Sequence, residues 1–120
     1  MLSFLTKISA FAIAISMPSL AVAELNKVSS KSEFLEIVDG KRLTIFAINV
    51  SVTPDGSIGG RAYGQNVRGK WQWQDGYFCR DLFWGEKNLG PNCQEVRVNG
   101  DVIRFTYDRG AGRYADLKMR

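Results

Sequence analysis

The chain has 120 residues, of which 45% are hydrophobic, with 16 Lys and Arg against 12 Asp and Glu and no histidine. A chain of this length forms one domain, and the lack of histidine removes the commonest general base and the commonest metal ligand. The basic residues are spread among acidic ones without forming a stripe, so we expect no nucleic-acid partner.

Residues 1–23 are predicted to be a cleavable export signal. Lys7 precedes an uncharged apolar stretch, Pro18 interrupts it, and residues 21–23 match the A-x-A cleavage pattern. A membrane anchor is the alternative, but a spanning helix needs about 20 apolar residues. We expect a periplasmic or secreted mature chain, residues 24–120, with no membrane partner after cleavage. Because the signal removes Lys7 and no acid, 15 basic and 12 acidic residues remain, a net charge of +3.

The two cysteines, Cys79 and Cys93, both lie in the predicted mature chain. An even cysteine count in an exported protein predicts a disulfide, and two cysteines allow one intramolecular pairing. Their spacing is not the C-x-x-C of redox proteins, which favours a structural bond. Such a bond closes a loop of about 15 residues and should stabilise the fold by roughly 3 kcal/mol.

A short helix is predicted to begin after Ser30. Ser30 and Glu33 match the S-x-x-E capping box, and Phe34, Leu35 and Val38 follow at helical spacing before a stop at residues 39–40. So short a helix is marginal alone. We therefore expect its apolar face to pack on the mouth or one face of a sheet.

From residue 41 onward, apolar and polar residues alternate and turn signals recur about every 8–12 residues, which is typical of an all-β sandwich or barrel. The predicted strands are 43–52 (one strand, or two pieces broken near Ala47), 57–63, 67–73, 77–84, 93–98, 102–107 and 113–120. The longest loop is predicted at residues 85–92.

Short sequential hairpins make sequence neighbours sheet neighbours, and a sheet of many short strands curls. The predicted fold is therefore mainly β: a small antiparallel up-and-down barrel, or a strongly bent sheet, of seven or eight strands with one short N-terminal helix. The strands are shorter than the roughly 9–11 residues of outer-membrane barrels. We expect a monomer with one disulfide-linked domain at residues 24–120.

Six aromatic residues lie within fourteen positions: Trp71, Trp73, Tyr77, Phe78, Phe83 and Trp84. One interpretation is a core in which indoles fill the space left by Gly60, Ala62 and Gly69. The other is a platform for a carbohydrate, an apolar ligand or a partner. Trp73 and Trp84 lie beside turns and are the members expected to be exposed, and they join Tyr77 as candidate binding residues.

Arg80 is the charged candidate. If Cys79 points outward to Cys93, alternation places Arg80 inward with Phe78 and Leu82. A buried guanidinium needs a carboxylate, backbone carbonyls or an external anion. Among the carboxylates of the chain, Glu95 and Asp116 are candidate internal partners for Arg80. The remaining interpretation is a surface arginine in an ion pair.

The run of residues 69–84, together with residues 90–94 and 105–110, resembles a group of short exported bacterial proteins of unassigned function that often carry the label dihydrodipicolinate reductase. That label implies nicotinamide chemistry. The reductase family has an active-site histidine pair and a dinucleotide-binding unit, and this chain has no histidine and no strand, Gly-rich turn and helix unit. Gly69-x-Trp71 is also similar to the lipocalin G-x-W, which lipocalins place on their first barrel strand.

These features favour a binding or interaction module for an unknown small ligand or protein partner, with the helix and one barrel end framing the site. The alternatives are a hydrolase using carboxylates, for which no Asp or Glu spacing selects a pair, and the reductase. We expect no catalytic residue, cofactor or metal.

Overall fold

The computed structural model describes residues 24–120, so the predicted signal peptide at residues 1–23 lies outside the described part. The described chain contains one α-helix, one short 3₁₀ segment and nine strands. Their bounds are β1 Asn26–Lys27, α1 Lys31–Val38, β2 Leu43–Ile45, β3 Ile48–Val52, β4 Ser57–Ala62, β5 Gln65–Gln74, β6 Tyr77–Trp84, β7 Lys87–Asn99, β8 Val102–Thr106, the 3₁₀ segment Asp108–Gly110, and β9 Tyr114–Met119.

Strands β2 to β9 form a closed antiparallel barrel of eight strands. Each strand pairs with the next in sequence, and β9 returns to pair with β2 through Leu43 and Met119. The short β1 adds to the edge of β7. The prediction of an up-and-down barrel is confirmed, and the closed ring decides between it and an open bent sheet.

The barrel has two chemically different ends. Because neighbouring strands are antiparallel, the connections after β3, β5 and β7 lie at the end where α1 leads into β2, which we call the helix end. The connections after β2, β4, β6 and β8 lie at the opposite end, which we call the distal end. The helix end is closed by a side chain from α1.

Helix α1 begins with the predicted cap. The Ser30 hydroxyl accepts a hydrogen bond from the Glu33 amide at 3.2 Å, and the Glu33 carboxylate accepts one from the Ser29 amide at 3.0 Å. Phe34 is fully buried. Its ring lies 5.2 to 5.3 Å from the rings of Trp71, Trp73 and Phe78. The helix therefore packs on the mouth of the barrel and fills that end with an aromatic plug.

The core occupies the helix half of the interior. Trp71 and Phe105 are both almost completely buried there, and the Trp71 indole donates to the Thr53 carbonyl at 2.9 Å. The fully buried side chains are Val28, Phe34, Val38, Leu43, Val96 and Ile103, each no more than 1% exposed. Burial of these groups is the main stabilising contribution to the barrel.

Two predicted connections differ from the structure, and one alternative is resolved. The loop expected at residues 85–92 is wrong, because the chain turns within Gly85 and Glu86 and β7 starts at residue 87. The stretch 43–52 has the second of its two predicted forms, two strands broken by a tight turn with Ala47 at φ 62°. The turn expected at residues 64–66 lies one residue earlier. Two-residue hairpin turns match strand twist, so the strands extend further than the turn residues suggested.

Gly60 and Gly69 lie where neighbouring strands approach most closely. A Cβ on Gly60 would collide with the Asn49 carbonyl oxygen, and a Cβ on Gly69 would collide with the Asp81 carbonyl oxygen. These glycines therefore allow the close backbone approach of a curled sheet, in addition to leaving room beside the indoles.

Candidate functional site

Burial of the inward-facing side chains decreases toward the distal end. On β3, Val52 near the helix is buried, whereas the inward Val50 and Ile48 are half-buried. The same gradient runs along β4, from the buried Ile58 to the half-buried Ala62, and it recurs on β2, β6 and β9. Inward-facing side chains in the distal half are therefore more accessible to solvent than those in the helix half.

Arg80 lies at the base of this distal half. Alternation along β6 is set by Cys79, which is directly opposite Cys93 in the β6–β7 register. Arg80 therefore points to the inner face shared with Phe78 and Leu82, as the sequence predicted, and only 5% of it is exposed. The structure thus contains a buried arginine between the aromatic core and the less buried distal half.

The partners of Arg80 are both neutral. One terminal nitrogen donates to the Gly90 carbonyl at 2.8 Å, and the other donates to the Tyr107 hydroxyl at 3.0 Å. Of the alternatives for a buried Arg80, the structure has a backbone carbonyl, with a hydroxyl beside it, and not a carboxylate. Glu95 is ion-paired with Arg97, and Asp116 is ion-paired with Arg104, both on the outer face. Alternation places both carboxylates on the side of the sheet opposite to Arg80.

Tyr107 covers the guanidinium from the connection between β8 and β9. Its ring centre lies 5.2 Å from the Arg80 guanidinium carbon, and 38% of the residue is exposed. Two hydrogen bonds hold this connection to β7: Asn92 donates to the Asp108 carboxylate at 2.8 Å and accepts from the Asp108 amide at 3.0 Å. Tyr107 is therefore positioned between Arg80 and solvent, with its hydroxyl bound to the charge.

The other three predicted binding residues lie in different places. Trp84 faces the distal interior, half-buried, and its indole donates to the Ala62 carbonyl at 2.7 Å. Trp73 is half-buried at the helix end, stacked on Phe34. Tyr77 lies on the outer face. The structure therefore brings Arg80 and Trp84 to one region of the interior and separates the other two from it.

Tyr77 has cations on its ring. The Lys27 ammonium lies 5.6 Å from the ring centre and the Arg109 guanidinium 5.5 Å. These distances are typical of cation–π contacts. Both cations belong to this chain, so the exposed ring face is already occupied and Tyr77 links β1 and the distal connection to β6.

The predicted disulfide joins Cys79 to Cys93 on the outer face and is confirmed. Beside it lies an open groove of about 750 Å³, lined by Lys70, Trp71, Gln72, Gln74, Cys79, Arg80, Asp81, Pro91, Asn92, Cys93, Asp108 and Arg109. The charged side chains that alternation points toward it, Lys70 and Asp81, are exposed to solvent. Arg80 and Trp71 are the buried members of this lining, and the other lining residues are exposed or half-buried.

Three carboxyls of residues 24–120 have a shifted pKa, and in each of them the pKa is lowered. Hydrogen bonds from Ser57 and Thr53 lower the pKa of Asp55. A hydrogen bond from an adjacent arginine lowers the pKa of Glu95 and of Asp116. A general acid in glycoside hydrolysis requires the opposite shift. These three carboxyls therefore do not support the hydrolase alternative.

Within residues 24–120, three or more metal-ligating side chains do not gather at one point. In the same part of the chain, every helix is too short or too polar to cross a bilayer.

Tyr107 is the residue of this site that sequence reasoning missed. A signal existed, because alternation from the buried Phe105 places Tyr107 on the inner face. Its contact with Arg80, 27 residues away in the chain, depends on the pairing of β6 with β7 and of β7 with β8.

Comparisons of the chain with protein-family models, curated proteins and solved structures found no match.

Proposed function

We propose that this chain is an exported binding protein that takes a small amphipathic ligand into the distal half of its barrel. The anionic group of the ligand would bind Arg80, and its apolar part would contact the half-buried inner wall. The observation that carries the proposal is Arg80, of which only 5% is exposed and whose hydrogen-bond partners in the described chain are neutral.

The energetics of burial favour an anion at this position. Removing a guanidinium from water is costly unless an opposite charge or a full set of acceptors compensates. Gly90 and Tyr107 accept hydrogen bonds from the two terminal nitrogens, and within residues 24–120 no buried side-chain nitrogen or oxygen lacks a hydrogen-bond partner. The described ion pairs do not include Arg80, so its charge has hydrogen-bond acceptors but no opposite charge. A carboxylate or phosphate matches the planar fork of arginine.

The lining of the distal interior suits an apolar ligand body. Val50, Val67, Leu82 and Trp84 face inward there and are half-buried. Ligand sites in proteins are mostly apolar, with few polar groups that set orientation. In this site Arg80 is the orienting group.

The predicted export signal and the disulfide fit the same proposal. Disulfides form and persist in oxidising compartments such as the periplasm. Cys79 and Cys93 are paired here, and residues 1–23 have the pattern of a secretory signal. We therefore propose that binding takes place outside the cytoplasm.

The test compares a fluorescent long-chain fatty acid with the corresponding fatty alcohol as probes. Arg80→Met keeps the length of the side chain and removes its charge. We expect this change to weaken binding of the acid by about tenfold or more, because a charge-assisted hydrogen bond is lost, and to leave binding of the alcohol unchanged. Arg68→Met, on the outer face of β5, serves as the matched control.

Stability separates loss of binding from loss of folding. Since Arg80 has no carboxylate partner, Arg80→Met strands no buried charge and should leave the free energy of unfolding within about 1 kcal/mol of the parent, or raise it. Equal binding of the acid by the parent and by Arg80→Met would contradict the proposal, and so would failure of the parent to bind either probe.

A further inference from the structure

Exposed apolar side chains are concentrated at the distal end. In residues 24–120, six large hydrophobic residues are exposed: Ile45, Phe46, Tyr63, Leu89, Tyr107 and Tyr114. Five of them lie in or next to a distal connection, and Leu89 lies near the distal start of β7. Phe46 is 84% exposed and Tyr63 is 61% exposed. We call these six residues the distal rim. Scattered exposed apolar residues need no explanation, but their restriction to four hairpin tips at one end does.

The backbone conformation at the distal rim indicates that stability of the fold does not explain why apolar side chains are exposed there. Tyr63 has φ 50° in a two-residue turn with Gly64. The same kind of turn at the helix end is formed by Asp75 and Gly76, with φ 54° and 86°. Asp and Asn suit this left-handed conformation, whereas a bulky side chain is strained in it. The chain thus places an exposed aromatic ring where a polar residue would be more stable.

The two ends of the barrel also differ in charge: the turns at the helix end are acidic, and the distal connections are net basic. Each hairpin turn at the helix end carries one aspartate and no basic residue, namely Asp55, Asp75 and Asp101. The distal connections and the two residues on each side of them carry four basic residues and two acidic ones, which are Arg61, Lys87, Arg109, Arg113, Glu86 and Asp108. The distal end is therefore both apolar and net basic.

We propose that the distal rim docks on the surface of an anionic phospholipid bilayer. Tyr and Phe would enter the interfacial layer, and the basic side chains between them would contact the lipid phosphates. The rim consists of separate hairpin tips, to which a fluid surface adapts more readily than a rigid protein partner. This departs from the expectation that the mature chain has no membrane partner. Docking through the rim would also place the distal end of the barrel against lipid.

The first experiment measures flotation of the mature chain with phosphatidylcholine vesicles, with and without phosphatidylglycerol. We expect binding only when phosphatidylglycerol is present, with weakening at high salt. The double variant Phe46→Ser, Tyr63→Asn should reduce the partition coefficient by about tenfold or more, because binding scales with inserted apolar area. Its melting temperature should stay the same or rise, because Asn suits the turn at position 63.

Two double variants with the same change in net charge test whether vesicle binding depends on basic residues at the distal end in particular. Lys87→Glu with Arg113→Glu changes the distal end, and Lys31→Glu with Lys41→Glu makes the same change in net charge at the helix end. We expect only the distal pair to lose vesicle binding. Equal loss by both pairs, or no binding by the parent, would overturn the proposal. So would a dimer that the Phe46→Ser, Tyr63→Asn variant dissociates while vesicles are not bound.

The docking proposal and the ligand proposal fail separately. Arg80→Met removes the contact of Arg80 with Tyr107 and leaves the other five rim residues unchanged, so it should retain most of the vesicle binding even though it loses the fatty acid. Loss of vesicle binding by Arg80→Met would contradict rim docking and leave the probe-binding result unaffected.

Discussion

Arginine side chains in this barrel fall into two environments. Arg97 and Arg104 are opposite each other on the outer faces of β7 and β8, and each has its own carboxylate, Glu95 at 2.8 Å and Asp116 at 2.7 Å. Like charges directly across a strand pair are destabilising, and the two carboxylates offset that repulsion. Arg80 has neutral partners instead. The same residue type therefore supports structure on the outer face and supplies an uncompensated charge on the inner one.

The outer ion pairs predict how stability depends on pH. Hydrogen bonds from Arg97 and Arg104 hold the pKa of Glu95 and of Asp116 below the usual range. A carboxyl with a lower pKa in the folded state stabilises the fold above its unfolded pKa, and this contribution is lost as pH falls through the folded pKa. We expect the free energy of unfolding in urea to decline as pH falls from about 5 to about 3.

The comparison for this prediction is the double variant Arg97→Gln, Arg104→Gln. Its decline over the same pH range should be shallower, because the carboxyls then titrate closer to their unfolded pKa. Each pair is partly exposed, so the difference should be below about 1 kcal/mol per pair. An identical pH profile in parent and variant would show that these pairs contribute nothing to acid sensitivity.

At the scale of the strands, β4 approaches β3 and β5 approaches β6 closely at positions without a side chain, Gly60 and Gly69. Gly69 faces the interior opposite Leu82, close to the Asp81 carbonyl, whereas Gly59 lies on the outer side of β4 with open space beside it. The two glycines are thus a natural pair for separating backbone approach from the general effect of glycine in a strand.

We predict that Gly69→Ala destabilises the protein by more than about 2 kcal/mol, because the new methyl group forces β5 and β6 apart. Gly59→Ala should change the free energy of unfolding by no more than about 0.5 kcal/mol, or raise it. Urea unfolding of both variants measures the difference. Similar effects at the two positions would contradict the assignment of Gly69 to close strand approach.

At the scale of the whole molecule, the barrel is asymmetric along its axis. Phe34 and the surrounding aromatic rings fill the helix half, and the distal half is lined by half-buried side chains beneath an exposed apolar rim. Burial is thus concentrated in the helix half, and the proposed binding site lies in the other half. Loss of helix-end packing should unfold the protein, whereas substitution of the distal side chains should change stability little and, on the proposed function, should weaken ligand binding.

The disulfide is a constraint on the whole chain, and its removal gives a third prediction. Cys79→Ser with Cys93→Ser should lower the free energy of unfolding by roughly 3 kcal/mol, the entropy of a loop with a sequence separation of 14 residues. The barrel itself should remain, since the bond lies on the outer face between strands that are already paired. Far-ultraviolet circular dichroism with urea unfolding checks both points. A variant that is unfolded without urea would contradict this.

Local patterns in the sequence determined much of this protein. The Ser30 cap, the alternation from residue 41 onward and the two cysteines predicted the helix, the mainly antiparallel fold and the disulfide. Alternation from Cys79 also placed Arg80 inward. Applied to Cys93, the same reasoning places Glu95 outward, so the sequence contained the argument against one of the carboxylate partners.

Tertiary structure decided what depends on contacts between distant strands. Alternation assigns a residue to a face of the sheet, but it gives neither the height of that residue along the barrel nor its neighbour across the interior. Closure of β9 on β2, the contact of Tyr107 with Arg80 and the separation of Trp73 from Trp84 all follow from strand register and barrel closure. The lower burial of the distal half follows from the placement of Phe34, because one short helix packs on only one end of the barrel.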